Sequence, residues 1–269
     1  MRQTHGYTLE QRDDVAWLWL DRPDLHNAFD DALIAALTVE LEELAKLPQL
    51  RALVLAGRGS SFSAGADLNW MRRMAAAGRE ANRDDALGLA TLMRTLAFFP
   101  RPTLARVHGA AYGGGVGLIA CCDIALAADS ARFGLTEVRL GLVPAVISPY
   151  VVEAIGARQA RRWFLTGESF DATQAQSMGL VHRVLPATEL DGAVAQQLKL
   201  ILRAGPAACS VAKQLVFGIR GTDEARQGKM DAHTADLIAS LRVSPEGQEG
   251  ITAFLEKRSP SWEPASTES

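Results

Sequence analysis

The chain has 269 residues, 48% of them apolar, and a formal net charge of −3. That much apolar material can build one large globular unit with a core of its own. The interspersed charges exclude the concentrated basic field of a general nucleic-acid binder, although a local basic groove for a phosphate-bearing ligand stays open.

Residues 1–10 are polar and lack an apolar signal core, and no apolar run reaches the roughly 18–20 residues that span a bilayer. The expectation is a soluble, cytoplasmic protein without a membrane segment. Residues 15–20 form a continuous apolar run that predicts a buried strand, ended by Asp21-Arg22-Pro23. Leu33, Ile34, Leu37, Leu41 and Leu44 then recur at helical spacing, so a helix is predicted over 30–45, with Asp30 or Asp31 at its cap. A second buried strand over 51–56 runs into the glycine- and serine-rich loop 57–63. A short helix begins near Asp67 and a longer one covers 85–98, before Pro100 and Pro102 break the chain ahead of a strand over 103–108. The order strand, small-residue loop, helix thus occurs twice, over 54–71 and 105–121. Successive turns of an α/β spiral would set the two loops side by side.

Cys121 and Cys122 are adjacent and cannot form a C-x-x-C zinc pair, so they read as small buried apolar residues. With Cys209 they make an odd, sparse set that argues against a disulfide framework and fits a reducing compartment. Short strands are predicted over 123–127 and 131–135. From about residue 148 the pattern is almost wholly helical: 149–155, 157–165, 173–178, 188–203, 207–217 and 223–241. Ser244 and Pro245 supply the cap and first-turn proline of a last helix reaching Lys257. No low-complexity linker divides the chain. The expected organisation is an α/β core over 1–200 and a helical region over 201–269.

The chemistry lies in the loops. Gly113-Gly114-Gly115 lets another molecule approach the backbone with no Cβ in the way, and the following helix aims free N–H groups at that spot. Such a place suits a phosphate or an oxyanion, or it is a tight turn for close packing. A P-loop would need Lys-Ser/Thr after the last glycine, whereas the run continues Val116-Gly117, and the G-x-G-x-x-G spacing of a dinucleotide fingerprint is not kept. Gly59-Ser60-Ser61-Phe62-Ser63 does not make a serine-nucleophile elbow.

Phe62-Ser63-Ala64-Gly65-Ala66-Asp67-Leu68, Gly109-Ala110-Ala111-Tyr112-Gly113-Gly114-Gly115, and Phe133-Gly134-Leu135-Thr136-Glu137 followed by Leu140-Gly141-Leu142-Val143-Pro144 resemble the three signatures of the crotonase (enoyl-CoA hydratase/isomerase) superfamily. Arg22-Pro23 with Asn27-Ala28-Phe29, Leu165-Thr166-Gly167-Glu168, Met178-Gly179-Leu180-Val181 and the stretch 249–258 extend the resemblance, in family order, from about residue 8 to 260. The resemblance implies a crotonase-like α/β spiral of repeated ββα units with a helical C-terminal trimerisation region. It implies an oxyanion hole made by the N–H groups of Ala66 and Gly114, and Glu137 as the catalytic carboxylate. It places His26, Ala64, Gly65, Ala66, Asp67, Leu68, Phe254 and Lys257 along the coenzyme A thioester. CoA enters as part of the substrate, with no metal or redox cofactor, and the assembly is a homotrimer or a dimer of trimers. Neither nucleic acid nor membrane is expected as a partner. Glu168, Asp171, Asp123 and His108 read as structural residues.

One position departs from the pattern. Well-studied hydratases of the family carry a second glutamate two residues after the glycine triplet, and here that position is Gly117. Three readings follow. One is a hydratase in which Glu137 acts alone. The stretches 137–152 and Asp67-Leu68-Asn69-Trp70-Met71-Arg72-Arg73-Met74 support it, because they resemble bacterial 3-methylglutaconyl-CoA hydratases and related branched glutaconyl-CoA hydratases. The second is a Δ3,Δ2-enoyl-CoA isomerase, and the third an acyl-CoA- or RNA-binding trimer with little catalysis. A glutaconyl thioester would need a cation for its free carboxylate. Arg72, Arg73 and Arg139 are the sequence candidates.

Overall fold

The computed structural model describes residues 2–4 and 6–264. Seven strands form the main sheet in the order β1-β2-β3-β4-β5-β7-β10, and β6-β8-β9 form a small second sheet. The strands are β1 (Arg2–Thr4), β2 (Tyr7–Arg12), β3 (Val15–Leu20), β4 (Ala52–Gly57), β5 (Thr103–Val107), β6 (Ala110–Tyr112), β7 (Ile124–Ala128), β8 (Arg132–Gly134), β9 (Ser169–Asp171) and β10 (Arg183–Leu185). From β3 through β10 the neighbours in the main sheet run parallel, while β1, β2 and β3 form an antiparallel meander at one edge.

Both faces of the central strands are covered, which is why β3 and β4 read as unbroken apolar runs. Ala16, Leu18 and Leu20 point into the larger core with Leu53 and Leu55, under α1 (Asp31–Ala45) and α3 (Arg79–Ala97). Val15, Trp17 and Trp19 point the other way with Val54 and Ala56, against α7 (Leu190–Arg203). The cap of α1 is as expected: Asp30 accepts from Leu33 N at 2.9 Å. Cys121 and Cys122 are buried, and burial pushes the Cys122 thiol up to about 12, consistent with packing rather than reactivity.

The remaining helices are α2 (Leu68–Ala76), α4 (Gly114–Cys121), α5 (Ser148–Thr166), α6 (Ala172–Ser177), α8 (Pro206–Ile219), α9 (Glu224–Arg242) and α10 (Pro245–Glu256). Several boundaries differ from the sequence expectation, each for a local reason. Helix α3 starts at Arg79, not at 85; its polar first turns carry no apolar period, yet Asn82 is fully buried and its amide donates to the carbonyls of Met74, Ala77 and Gly78. The helices expected over 149–155 and 157–165 meet at Gly156, whose φ of 77° breaks the run inside α5. The stretch after 148 is not purely helical, because β9 joins the small sheet against β8 and β10 joins the main sheet against β7.

The C-terminal helices behave differently from one another. Helix α8 has no buried residue, whereas α9 and α10 return to the main core through Ala235, Ile238 and Ile251. Among the described residues no single helix is long and apolar enough to cross a membrane.

Candidate active site

The loop after β4 is stitched to neighbours on both sides. Ser63 N–H donates to Ala110 O and Tyr112 N–H to Ser63 O, at 3.1 and 3.0 Å. On the other side Phe29 N–H donates to Gly65 O and Asp67 N–H to Phe29 O, at 2.8 and 3.0 Å. The loop therefore lies as a short parallel bridge between 27–29 and 110–112. The spiral does set the two small-residue loops side by side. Gly65 holds a φ of +86°, and a Cβ there would stand 2.8 Å from Tyr112 O. Only glycine fits so close to the second loop.

These bonds leave two N–H groups over. Among the described residues, neither Ala66 N–H nor Gly114 N–H donates to any protein acceptor. Ala66 is excluded because its neighbours on either side make the bridge to Phe29, and Gly114 because it opens α4 and has no intrahelical acceptor. Both residues line one cavity of about 480 Å³, together with Ala64, Gly65, Gly113 and Glu137.

Glu137 opens the 3₁₀ turn Glu137–Leu140 that follows β8. Its Oε1 lies 3.2 Å from where a Cβ on Gly113 would be, so the carboxylate rests against the glycine triplet. Its Oε2 is shut off from solvent and has no hydrogen-bond partner among the described residues. Loss of hydration raises the Glu137 pKa from 4.5 to about 7, only partly offset by its own backbone N–H. A carboxyl poised near neutrality can both accept and return a proton.

Much of the cavity lining is apolar and includes Leu142, Val143, Ala145, Val146 and Ile147. Ile147 accounts for Gly117. A Cβ at residue 117 would fall 2.8 Å from Ile147 Cβ, nearer still to its Cγ2, and 3.2 Å from Met93 Cε. The space that a second glutamate would need is occupied. Helices α9 and α10 contribute Ile238, Arg242, Ile251 and Phe254 of the same chain to the cavity lining.

Not every residue singled out in the sequence reaches the cavity. Ala64, Gly65, Ala66, Gly114, Glu137 and Phe254 line it; His26, Asp67, Leu68 and Lys257 do not. His26 supports the loop instead, its carbonyl accepting from Ala64 N–H at 2.9 Å and its Nδ1 lying 3.1 Å from Ser61 Oγ. Asp67 caps α2 by accepting from Asn69 and Trp70 N–H, and pairs with Arg22 at 3.5 Å. Leu68 is the exposed first residue of α2, and Lys257 ends α10 in a left-handed conformation. Of the arginine candidates, Arg72 bonds Asn69 and Arg73 bonds Asp31 outside the cavity, while Arg139 lines it. His108 ties Gly59 O at 2.8 Å, Asp171 forms a capping box with Gln174, Glu168 pairs with Arg162, and Asp123 holds Thr103 and Lys213. Sequence reasoning missed Arg242 and Trp70 as cavity residues. Arg242 comes from α9, far along the chain, and no local pattern marks it.

A parallel spiral with a helical cover, two unpaired main-chain donors and one desolvated carboxyl in a single apolar cavity define a crotonase-type enzyme. The family model for enoyl-CoA hydratase/isomerase matches residues 10–265. The chain is 35% identical to the 2,3-dehydroadipyl-CoA hydratase of Escherichia coli, over 91% of this chain and 94% of that one. It is 31% identical to the crotonyl-CoA hydratase of Syntrophomonas wolfei, over 93% and 95%. Among solved structures it resembles an enoyl-CoA hydratase from Shewanella pealeana, at 45% identity and a TM-score of 0.79 with 97% of each chain covered. An enoyl-CoA hydratase from Mycobacterium avium superposes with a TM-score of 0.85 at 34% identity, covering 97% of this chain and all of the other. The chain belongs to the enoyl-CoA hydratase/isomerase family, and it is an enzyme of the enoyl-CoA hydratase type acting on acyl-CoA.

Proposed function

We propose that this enzyme adds water to an α,β-unsaturated acyl-CoA with Glu137 as its only acid–base carboxylate. The thioester oxygen sits between the N–H groups of Ala66 and Gly114. Glu137 takes a proton from water as the water oxygen bonds to Cβ of the acyl chain, and the electron pair of the double bond moves to the thioester as an enolate. The same carboxyl then gives that proton to Cα, so that one water is added in total. Each oxyanion donor contributes about 3–4 kcal/mol in comparable sites, because the charge develops where the dipoles already point.

The observation that carries this reading is the unpartnered Oε2 of Glu137 beside two unpartnered main-chain donors in one cavity. For the substrate we infer a branched glutaconyl-CoA such as 3-methylglutaconyl-CoA. The resemblance of 67–74 and 137–152 to that subgroup supports it, as does similarity to a relative named for 2,3-dehydroadipyl-CoA, itself a dicarboxylic thioester. A panel of crotonyl-, methylglutaconyl- and 3-enoyl-CoA substrates, with Glu137→Gln as control, tests it. Full activity in that variant would remove Glu137 from the mechanism.

One observation favours a second reading. With Ile147 filling the space beside Gly117, the place that would hold a second water-binding acid is apolar, as suits a Δ3,Δ2-isomerase that moves one proton without water. Incorporation of ¹⁸O from labelled water into the product separates the two, since an isomerase incorporates none. We also infer a homotrimer, or a dimer of trimers, held by the helical region 201–269. Helix α8 supports it, exposing Val211, Leu215, Val216 and Ile219 to solvent in the single chain.

A further inference from the structure

The cavity lining also holds a guanidinium that neither the signatures nor the mechanism uses. Arg242, the last residue of α9, lines the cavity beside Trp70, Leu89 and Ile238. Its side chain is only 15% exposed, and Asp85 on α3 pairs with it at 2.8 Å. Asp85 is itself 7% exposed and uses its other oxygen to accept from Trp70 Nε1 at 2.7 Å. Asn82, fully buried, accepts from the same Nη1 of Arg242 at 3.2 Å. The fork is thus fixed by its Nη1 edge alone. Among the described residues, Nε and Nη2 have no acceptor.

Such an arrangement is costly unless it has a purpose. A buried ion pair gains little for stability over an apolar pair of equal volume. A partly shielded guanidinium that lines a largely apolar cavity and has unused donors can take an oxygen ligand. We propose that Arg242 is a specificity-determining residue that receives, through its free Nε and Nη2, the distal carboxylate of a dicarboxylic acyl-CoA. Asp85 and Asn82 hold the fork in place, and Trp70 packs beneath it with its ring centre 5.9 Å from the guanidinium carbon. This rests on the reading that the cavity takes an acyl thioester, and it deepens that reading by naming the group that selects the acid.

Arg139 is the competing cation. It also lines the cavity and has no acidic partner among the described residues, but it is exposed on the 3₁₀ turn and leans on Gly167. A cation in water discriminates weakly, because solvent and salt screen it. The rigid, shielded fork of Arg242 matches a carboxylate with two parallel bonds.

The test is a pair of unreactive saturated ligands, glutaryl-CoA and pentanoyl-CoA, titrated calorimetrically into the full-length enzyme. The ratio of their Kd values is the readout, so any general change in the cavity cancels. Wild type is expected to favour glutaryl-CoA by roughly 10- to 100-fold, the range of one charge-assisted hydrogen-bonded contact. Removing Arg242 alone would leave Asp85 buried and unpaired, so the variant is the double substitution Arg242→Gln with Asp85→Asn, in which the preference should fall to near unity. Arg242→Lys, which keeps the charge and the pair to Asp85 but loses the fork, should retain part of it. No preference in wild type, or a preference that survives the double substitution and vanishes in Arg139→Gln, overturns the proposal. Hydration of crotonyl-CoA by wild type is scored separately: its absence would count against the hydratase reading, whereas the ligand ratio judges Arg242 whether or not turnover is seen.

Discussion

Ile147 occupies the place that a side chain on Gly117 would fill, with its Cβ 2.8 Å from the position of a residue-117 Cβ. The two residues therefore have to be changed together. Gly117→Glu alone should not supply a second acid. Overpacking of a closed core costs about 1–3 kcal/mol, and a buried carboxyl adds to that. The expected result is a lower Tm and no gain in hydration. Gly117→Glu combined with Ile147→Gly, which removes both the Cβ and the Cγ2 that the new side chain would meet, should recover part of the lost Tm. A single Gly117→Glu variant as stable as wild type would mean that the wall at Ile147 yields more readily than its packing implies.

Glu137 gives a pH dependence whose sign can be worked out. Its pKa is about 7 in the folded chain and 4.5 as an ordinary glutamate. Between those values the unfolded chain has released a proton that the folded chain still holds. Stability therefore falls as pH rises from about 4.5 to about 7, then levels off. Glu137→Gln lacks this penalty. It should match wild type near pH 4 and be more stable at pH 8 by up to roughly 3 kcal/mol, taking about 1.4 kcal/mol per pKa unit. Denaturant titrations at the two pH values measure it. Activity runs the opposite way: the base must be ionised, so kcat/KM of the wild type should rise through pH 7 and flatten above it.

What could be read in advance divides along physical lines. The buried strands β3 and β4, the caps at Asp30 and Ser244, the helix start near Asp67, and the three loop signatures are local features, and each lies where the sequence puts it. Features fixed by distant partners were not legible. Strand β2 mixes buried Tyr7 and Thr8 with exposed Gln11 and Arg12, so no period announces it, and it exists because β3 pairs with it. Strands β9 and β10 are three residues each and depend on β8 and β7. In the site the same rule holds. Ala66, Gly114 and Glu137 sit in recognisable motifs, while Arg242 becomes a cavity residue only because α9 packs on α3, and Ile147 becomes relevant only through its contact with Gly117.

Gly114→Ala tests the proposed oxyanion role of the two main-chain N–H groups. A Cβ there would lie 2.9 Å from Phe29 Cε2 and closer to Cζ, and Phe29 is a buried ring packed against the loop. Gly114→Ala should push the start of α4 away from the loop at Ala66. The loss expected is about 10²–10³ in kcat, as for removal of one oxyanion donor. Affinity for a saturated acyl-CoA should change far less, because it carries no enolate charge. Equal losses in kcat and in saturated-ligand affinity would point to a collapsed cavity instead.

Arg22 braces the segments around the Ala64–Ala66 loop through three contacts. Its Nη1 donates to Ala28 O at 2.9 Å and to Asp30 at 3.1 Å, and its Nη2 pairs with Asp67 at 3.5 Å. Asp30 and Asp67 are the caps of α1 and α2, so one guanidinium ties both helix starts to the turn that precedes them. Arg22→Ala leaves two partly buried carboxylates without their cation, at a cost of about 2–3 kcal/mol when neither can reach water freely. The loop over Ala64–Ala66 hangs between those caps, and its N–H alignment should loosen with them. The expected signature is a lower Tm together with a fall in kcat larger than any rise in KM, because the transition state depends on donor alignment more than substrate binding does. Arg22→Lys should restore the charge but not the two-sided reach of the fork, and so recover part of the Tm and little of the kcat. If Arg22→Ala lowered Tm while kcat stayed at the wild-type value, the clamp would be purely structural.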